Sequence, residues 1–191
     1  MNILCINGSR RKSGNTHSML ASLNQAAEKE GATTETIFLG DYSIDACTGC
    51  EGCRGSWECV IDDDFAAIVS KIDSADALVL GSPTYWYTVT SDMKRFIDRC
   101  YSLIQFPKNR HEWISKYQDT GKLCVTMAVC EQHDERMAQD TAALLTTVAF
   151  DLGFKTVDEV RAAGFFEAGC VEHDAGVIER AGIVGKTLCK S

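Results

Sequence analysis

The sequence predicts a three-layer α/β/α sandwich built on a five-stranded parallel sheet of order 2-1-3-4-5. Two observations carry this expectation. Short apolar runs alternate with amphipathic stretches along the whole chain, and the turn between the first strand and the first helix is rich in glycine and serine. Strands and helices in strict alternation build a parallel sheet covered on both faces. With 191 residues, 45% hydrophobic and 24% charged, the chain has the size and composition of one domain with a substantial core. The expected organisation is a single domain, 1–191, with a cysteine-rich loop insertion at about 40–61.

The elements follow in order. Asn2–Ile6 is a short apolar run and reads as a buried strand. Asn15–Glu30 reads as a helix with Met19, Leu20, Leu23 and Ala27 on one face and Gly31 as its stop. Thr34–Leu39 alternates and is rich in β-formers, a second strand. Gly40–Cys59 is irregular. Asp62, Asp63 and Asp64 open the next helix, where N-capping and compensation of the helix dipole are their expected roles. Phe65, Ile68, Val69 and Ile72 give that helix its apolar stripe. Ala77–Leu80 is a third strand, ended by Gly81-Ser82-Pro83. A helix over about Thr88–Tyr101 turns Met93, Phe96, Ile97 and Cys100 inward. Gln105–Gly121 is polar with two aromatics, Trp113 and Tyr117, and reads as a loop or lid that lines a substrate side or a dimer contact. Lys122–Val129 is a fourth strand, Glu135–Leu152 a long helix, Thr156–Ala162 a fifth strand with the charges of an edge, and Ala175–Cys189 a last helix.

Charge narrows the partners. The formal net charge is −8, and the one basic cluster is Arg10-Arg11-Lys12. A duplex-binding face needs clustered cations to neutralise phosphates, so nucleic acid is not an expected partner. No apolar run approaches the roughly 20 residues that span a bilayer, so no membrane is expected either. The first residues lack a basic segment followed by a long apolar one, and a cytoplasmic location is expected. Ten cysteines is a high count, and Cys47, Cys50, Cys53 and Cys59 cluster. Without a secretion signal, such a cluster reads as metal or redox chemistry. Cys5, Cys100, Cys124, Cys130, Cys170 and Cys189 are scattered and read as small buried hydrophobes.

Three segments carry chemistry. The first is Gly8-Ser9-Arg10-Arg11-Lys12-Ser13-Gly14-Asn15-Thr16, between the first strand and its helix. In an open parallel sheet this is the crevice at the carboxyl ends of the strands. The helix start offers unpaired N–H groups and a positive dipole end, the hydroxyl and amide side chains add donors, and the three basic residues add charge. A Walker A loop has four residues between its glycines and then Lys-Ser/Thr. Here five residues separate Gly8 from Gly14, and Asn15 stands where that lysine would be. The Gly-x-Gly-x-x-Gly dinucleotide spacing is absent too. What fits is one terminal phosphate, as FMN carries; a plain turn with a capped helix is the alternative.

The second segment is Gly81-Ser82-Pro83-Thr84-Tyr85-Trp86-Tyr87, which the strand order brings to the same crevice. Three consecutive aromatics in a loop cannot all enter the core, and they suit a flat tricyclic ring. A plug on the sheet edge or a dimer contact is the competing reading. The third is Cys47-x-x-Cys50-x-x-Cys53-x5-Cys59. Thiolates at this spacing in a glycine-containing loop can wrap a 4Fe-4S cubane. Four thiolates also suit zinc, and free thiols or a reversible disulfide are a third possibility.

Together with Met93-Lys94-Arg95-Phe96-Ile97-Asp98-Arg99, the first two segments resemble the NADPH-dependent FMN reductase group of flavodoxin-like proteins, and the cysteine segment resembles its iron–sulfur flavoprotein branch. The resemblance runs through roughly the first 130 residues. It implies a flavodoxin-like fold, FMN as cofactor, NAD(P)H or reduced ferredoxin as electron donor, a small acceptor such as a quinone, flavin or oxygen species, and a homodimer or homotetramer. Carried onto this chain, Ser9, Arg11, Ser13, Gly14, Asn15 and Thr16 would hold the phosphate. Ser82, Pro83, Thr84, Tyr85, Trp86 and Tyr87 would surround the ring, with Ala128, Val129 and Cys130 near it. Cys47, Cys50, Cys53 and Cys59 would hold the cluster, and Trp57 would cover it or meet a partner subunit. No side chain is expected as a catalytic acid or base, because the flavin carries the chemistry. Two other functions stay open at this point: a flavodoxin-type carrier without a substrate of its own, and a redox or metal sensor acting through the cysteine loop.

Overall fold

The computed structural model describes residues 1–191. Five strands, β1 (Asn2–Asn7), β2 (Thr33–Phe38), β3 (Ala77–Pro83), β4 (Leu123–Val129) and β5 (Lys155–Ala162), form one parallel sheet. In these labels the order is β2-β1-β3-β4-β5, as the sequence predicts. The helices are α1 (Asn15–Lys29), α2 (Phe65–Ser74), α3 (Ser91–Arg99), α4 (Gln139–Asp151) and α5 (Ala175–Leu188).

The three inner strands, β1, β3 and β4, read as continuous apolar runs because both faces of the sheet are covered there, whereas the edge strands β2 and β5 carry polar and charged residues. Ile3, Cys5, Val79 and Val125 point one way, against Met19, Leu20 and Leu23 of α1 and Ala181, Val184 and Leu188 of α5. Leu4, Ile6, Leu78 and Leu80 point the other way, against Phe65, Ile68 and Ile72 of α2, Met93 and Phe96 of α3, and Leu145 and Ala149 of α4. The charges of β5 fit its place at the sheet edge, where Asp158 pairs with Arg180 (2.6 Å) and Glu159 with Arg161 (2.8 Å). Cys5, Cys100, Cys124 and Cys130 are buried as expected, while Cys170 and Cys189 are half-buried. Burial pushes the thiols of Cys5 and Cys124 up to about 12, so they are inert.

Three expectations are corrected. The helix expected from Thr88 begins at Ser91, because Thr88 closes a hairpin with Tyr85 and Thr90 becomes the N-cap. The helix expected from Glu135 opens with a 3-10 turn, Glu135–Ala138, capped by Asp134, and only then becomes α4. The segment 105–121 is no lid on the crevice. Ile114–Ser115 pairs with Ile104–Gln105 in a small antiparallel ribbon. Tyr117 is buried against Phe154 (ring centroids 5.1 Å), its hydroxyl hydrogen-bonded to Asp73 (3.0 Å). The segment leads into the start of β4, the end of the sheet opposite the crevice.

Candidate functional site

At the carboxyl ends of β1, β3 and β4 lies a crevice of about 580 Å3. The first loop contributes Ser9, Arg11, Asn15 and Thr16. The loop after β3 contributes Pro83, Thr84, Tyr85, Trp86 and Tyr87, and the turn after β4 contributes Val129, Cys130, Glu131 and Gln132. Phe165 and Phe166 come from the segment after β5.

The floor is held by a few short contacts. Gly8 N–H donates to the Gly81 carbonyl (2.8 Å), and the Thr90 hydroxyl donates to the Gly8 carbonyl (2.7 Å) while accepting from Met93 N–H (3.3 Å). A Cβ on Gly8 would lie 3.0 Å from that of Met93, so a side chain there would force the first loop away from α3. Asn7 Oδ1 accepts from Ser9 N–H (2.9 Å), and Ser9 Oγ accepts from Arg11 N–H (3.2 Å), which turns the loop over the end of the sheet.

Helix α1 then starts without a side-chain cap and without an acidic residue in its first turn. Its first N–H groups lack intrahelical partners by geometry. Beside them the Thr16 hydroxyl is buried and has no hydrogen-bond partner, nor has Asn7 Nδ2. Buried polar atoms are normally paired. An unpaired hydroxyl at an uncapped helix start, in a residue that lines a crevice, is the arrangement a phosphate oxygen satisfies.

The basic residues do not act together. Arg10 is taken by Asp92 (2.6 Å) and Lys12 by Asp41, so Arg11 is the one cation of the three that lines the crevice. Its Nη1 donates to the Phe166 carbonyl (2.9 Å), with the guanidinium 5.6 Å from the Phe166 ring centre. Asn15 is also placed differently from expectation. Its side chain is spent on protein: Nδ2 donates to the carbonyls of Phe165 (3.2 Å) and Glu167 (2.9 Å), and Oδ1 accepts from Val171 N–H (3.1 Å). Asn15 therefore fixes the segment that brings Phe165 and Phe166 to the crevice. Ser82 is fully buried, donating to the Pro83 carbonyl (2.9 Å) and accepting from Thr90 N–H (3.2 Å). Ser13, Gly14 and Ser82 do not line the crevice.

The aromatic segment is a two-residue hairpin. Tyr85 and Thr88 exchange backbone hydrogen bonds (2.8 and 3.2 Å) around Trp86 and Tyr87, whose φ values are 48° and 66°. Positive φ at two bulky residues is strained. Trp86 is 92% exposed at the tip. Glu131, Gln132, Phe165 and Phe166 were missed by sequence reasoning. The signal for the two phenylalanines was their position just beyond a strand end, beside Gly164.

The four clustered cysteines lie elsewhere, beside the ends of α2 and α3. All four line one small pocket of about 20 Å3, which Arg99, Ile61 and Tyr101 also border. Cys47 and Cys50 are exposed, Cys53 is buried and Cys59 half-buried. No three of the chain's histidine, cysteine or acidic side chains converge on a single-ion site. Burial raises the Cys53 thiol, and the three other cysteines push it the same way. Cys50 is lowered by the backbone of Gly52 and the Thr48 hydroxyl. Trp57 does not border the pocket; it lines a separate hollow together with Phe65 and Val69 of α2.

Of the aspartates before α2, Asp63 satisfies a free N–H of the helix start, and both Asp63 and Asp64 also tie down the preceding loop. Asp64 sits at the cap position, but its carboxylate accepts from Ser43 N–H (2.7 Å). Asp63 accepts from Phe65 N–H (3.0 Å) and Asp45 N–H (2.9 Å), and pairs with Arg99 (2.6 Å). Burial works against the Arg99 charge, but Asp63 and Cys59 more than offset it and hold its pKa above the ordinary value.

Comparison with known proteins agrees with this fold. A 37% identical stretch of 99 residues is shared with an iron-sulfur flavoprotein of Methanocaldococcus jannaschii, covering 52% of this chain and 51% of that protein. An Archaeoglobus fulgidus iron-sulfur flavoprotein shares 40% over 99 residues, 52% of this chain and 48% of that one. The chain spans about half the length of these relatives. Among solved structures, an NAD(P)H:quinone oxidoreductase from Methanothermobacter marburgensis superposes with a TM-score of 0.75 at 16% identity, covering 98% of this chain and 96% of that one. An archaeal flavodoxin superposes at 0.61 and 13% identity over 100% of this chain and 97% of that one, so the fold is flavodoxin-like. The family model for NADPH-dependent FMN reductase matches residues 1–168, and the chain belongs to that family.

Proposed function

We propose that the chain is an FMN-dependent NAD(P)H oxidoreductase that also carries a 4Fe-4S cluster. The observation that carries the first part is the buried, unpaired hydroxyl of Thr16, a residue at the uncapped start of α1 that lines a crevice whose rim is the Tyr85–Tyr87 hairpin. When bound there, FMN supplies the step between two-electron hydride acceptance and one-electron release. The residues of the chain bind and orient it. Thr16, Ser9 and the first N–H groups of α1 donate to the phosphate, and Arg11 gives it a counter-charge. Tyr85, Trp86 and Phe166 offer flat faces that exclude water from the ring. Cys130 and Gln132 border the inner wall.

The second part rests on the donor set of the loop. Four thiols and no competing imidazole border one pocket. A zinc ion would need the sulfurs gathered about 2.3 Å from one point, whereas a cubane takes them further apart around a larger core. The exposed turn at Cys47–Cys50 is the part free to move outward around such a core. The electron donor is NAD(P)H or reduced ferredoxin, and the acceptor a quinone, a flavin or an oxygen species.

The test is an anaerobic titration of FMN-free protein with FMN and with riboflavin, followed by NADH and NADPH oxidation assays with each acceptor. Tight FMN binding, riboflavin binding weaker by two orders of magnitude or so, and turnover are expected. Equal affinity for the two flavins refutes the phosphate loop. FMN binding without oxidation of either nucleotide, but with exchange from ferredoxin, identifies a carrier instead.

A further inference from the structure

We propose that Arg99 positions the four-cysteine pocket and supplies its hydrogen-bond donor: it clamps the loop at both ends and offers its remaining N–H to the pocket. The inference rests on the reading above that this pocket takes a cluster. Arg99 is the last residue of α3, and its side chain is 0% exposed. A buried guanidinium must be paired and hydrogen-bonded. Nη1 donates to Asp63 (2.6 Å) and to the Asp45 carbonyl (3.0 Å), and Nη2 to Asp63 (3.1 Å) and the Ile61 carbonyl (3.4 Å). Asp45 lies just before Cys47, and Ile61 just after Cys59. One guanidinium thus ties together the two ends of the segment that carries all four cysteines.

The fork of Arg99 has five donors, and the Nη groups meet the loop ends. The fifth, Nε–H, is buried and has no partner. Arg99 borders the same pocket as the cysteines, with Cys59 beside the guanidinium. A thiolate-ligated cluster is anionic, and its potential follows charge, burial and hydrogen bonds to sulfur. Asp63 already neutralises the charge of Arg99, so the donated hydrogen bond and the fixed loop ends are what this residue adds. Lysine keeps the charge but has neither the planar fork nor the Nε–H.

The experiment compares wild type with Arg99→Lys, Arg99→Met and the double variant Asp63→Asn/Arg99→Met, which avoids leaving a buried carboxylate alone. Each is reconstituted anaerobically with ferrous iron and sulfide. Iron and sulfide per chain and the midpoint potential are measured, with FMN per chain as the control for an intact sheet. On iron-free protein, iodoacetamide alkylation of each cysteine is timed by peptide mass spectrometry. In wild type, Cys53 and Cys59 react more slowly than Cys47 and Cys50. In the double variant their rates rise on the order of tenfold as the loop opens. Iron per chain falls by more than half in this variant, the residual potential shifts negative, and FMN stays at the wild-type level. Arg99→Lys falls between the two and carries the test if the other variants fail to fold. An FMN-replete variant with wild-type iron, potential and alkylation pattern overturns the proposal. If wild type itself takes up no iron, the cluster reading fails separately; accelerated alkylation then still supports the clamp, and unchanged alkylation overturns it.

Discussion

Replacing Thr16 with valine separates a group that serves the fold from one that serves a ligand. Thr16 is 2% exposed and its hydroxyl has no partner. A buried hydroxyl without a hydrogen bond costs about 1–3 kcal/mol. Valine keeps the branched shape and removes that cost, so the FMN-free protein gains stability. At the about 2–4 °C per kcal/mol expected for a chain of this size, the melting temperature rises by several degrees. The effect on the proposed ligand has the opposite sign. A hydrogen bond to a charged phosphate oxygen contributes about 1.5–3 kcal/mol, so FMN affinity falls by roughly 10- to 150-fold. Riboflavin affinity is unchanged. Calorimetric melts of FMN-free protein and fluorescence titrations with both flavins give the two numbers, and Thr16→Ser, which keeps the hydroxyl, restores affinity. A variant that melts lower while holding FMN as tightly as wild type refutes the reasoning, because its hydroxyl then has a structural partner.

Asn15→Ala removes three hydrogen bonds to the segment after β5 and lowers stability by about 2–4 kcal/mol, seen as a lower denaturation midpoint and faster proteolytic cleavage near Phe165 and Phe166. Trp86→Gly relieves a bulky residue at φ 48°, so FMN-free protein gains about 1 kcal/mol in chemical denaturation while FMN affinity drops; an unchanged affinity would place Trp86 outside the site. Acid sensitivity follows from two buried carboxylates. Hydrogen bonds from Arg10 and Arg95 hold Asp92 below the usual carboxylate range; burial works the other way on Asp63, but Arg99 and backbone donors still hold it low. Their folded-state pKa values are depressed, so the stabilisation is complete above the unfolded value of about 4 and is lost as pH falls through the folded values. Stability should fall steeply below about pH 4, and Asp92→Asn, less stable at neutral pH, should show a shallower acid loss in urea melts at a series of pH values.

The inner strands of the sheet were legible because both faces are buried there, so they stood out as apolar runs within Asn2–Ile6, Ala77–Leu80 and Lys122–Val129, while the edge strands showed as an alternating segment and a charged one. The strand order expected from the sequence by itself places the first loop and the aromatic loop at one crevice. Sequence reasoning failed where one side chain had several possible partners. Arg10, Arg11 and Lys12 are indistinguishable as a basic triplet, and only the positions of Asp92 and Asp41 divide them. Asn15 looks like a ligand donor because nothing local reveals that its amide meets a backbone segment more than a hundred residues away. Tyr117 looked like a lid residue because its partner, Phe154, is distant in sequence.

Helix α3 shows the same limit and joins the two sites. Its apolar stripe, Met93, Phe96, Ile97 and Cys100, was readable, whereas Arg95 and Arg99 entered only as part of a family motif, with no partner assigned. In the structure Arg95 pairs with Asp92 (2.5 Å) and donates to the Ile44 carbonyl (3.3 Å) at the entrance of the cysteine segment. Asp92 also holds Arg10 of the first loop, and Thr90 holds Gly8. Thr90, Asp92, Arg95 and Arg99 therefore form a line of contacts down one rigid helix, from the crevice at its start to the cysteine pocket at its end. At 1.5 Å per residue that line is about 14 Å long. The helix fixes the separation of the two proposed redox sites independently of the conformation of either loop. A change that loosens the start of α3, such as Thr90→Val, should then disturb the first loop and leave the alkylation rates of Cys53 and Cys59 unchanged. If both responded together, the helix would be transmitting motion rather than setting a distance.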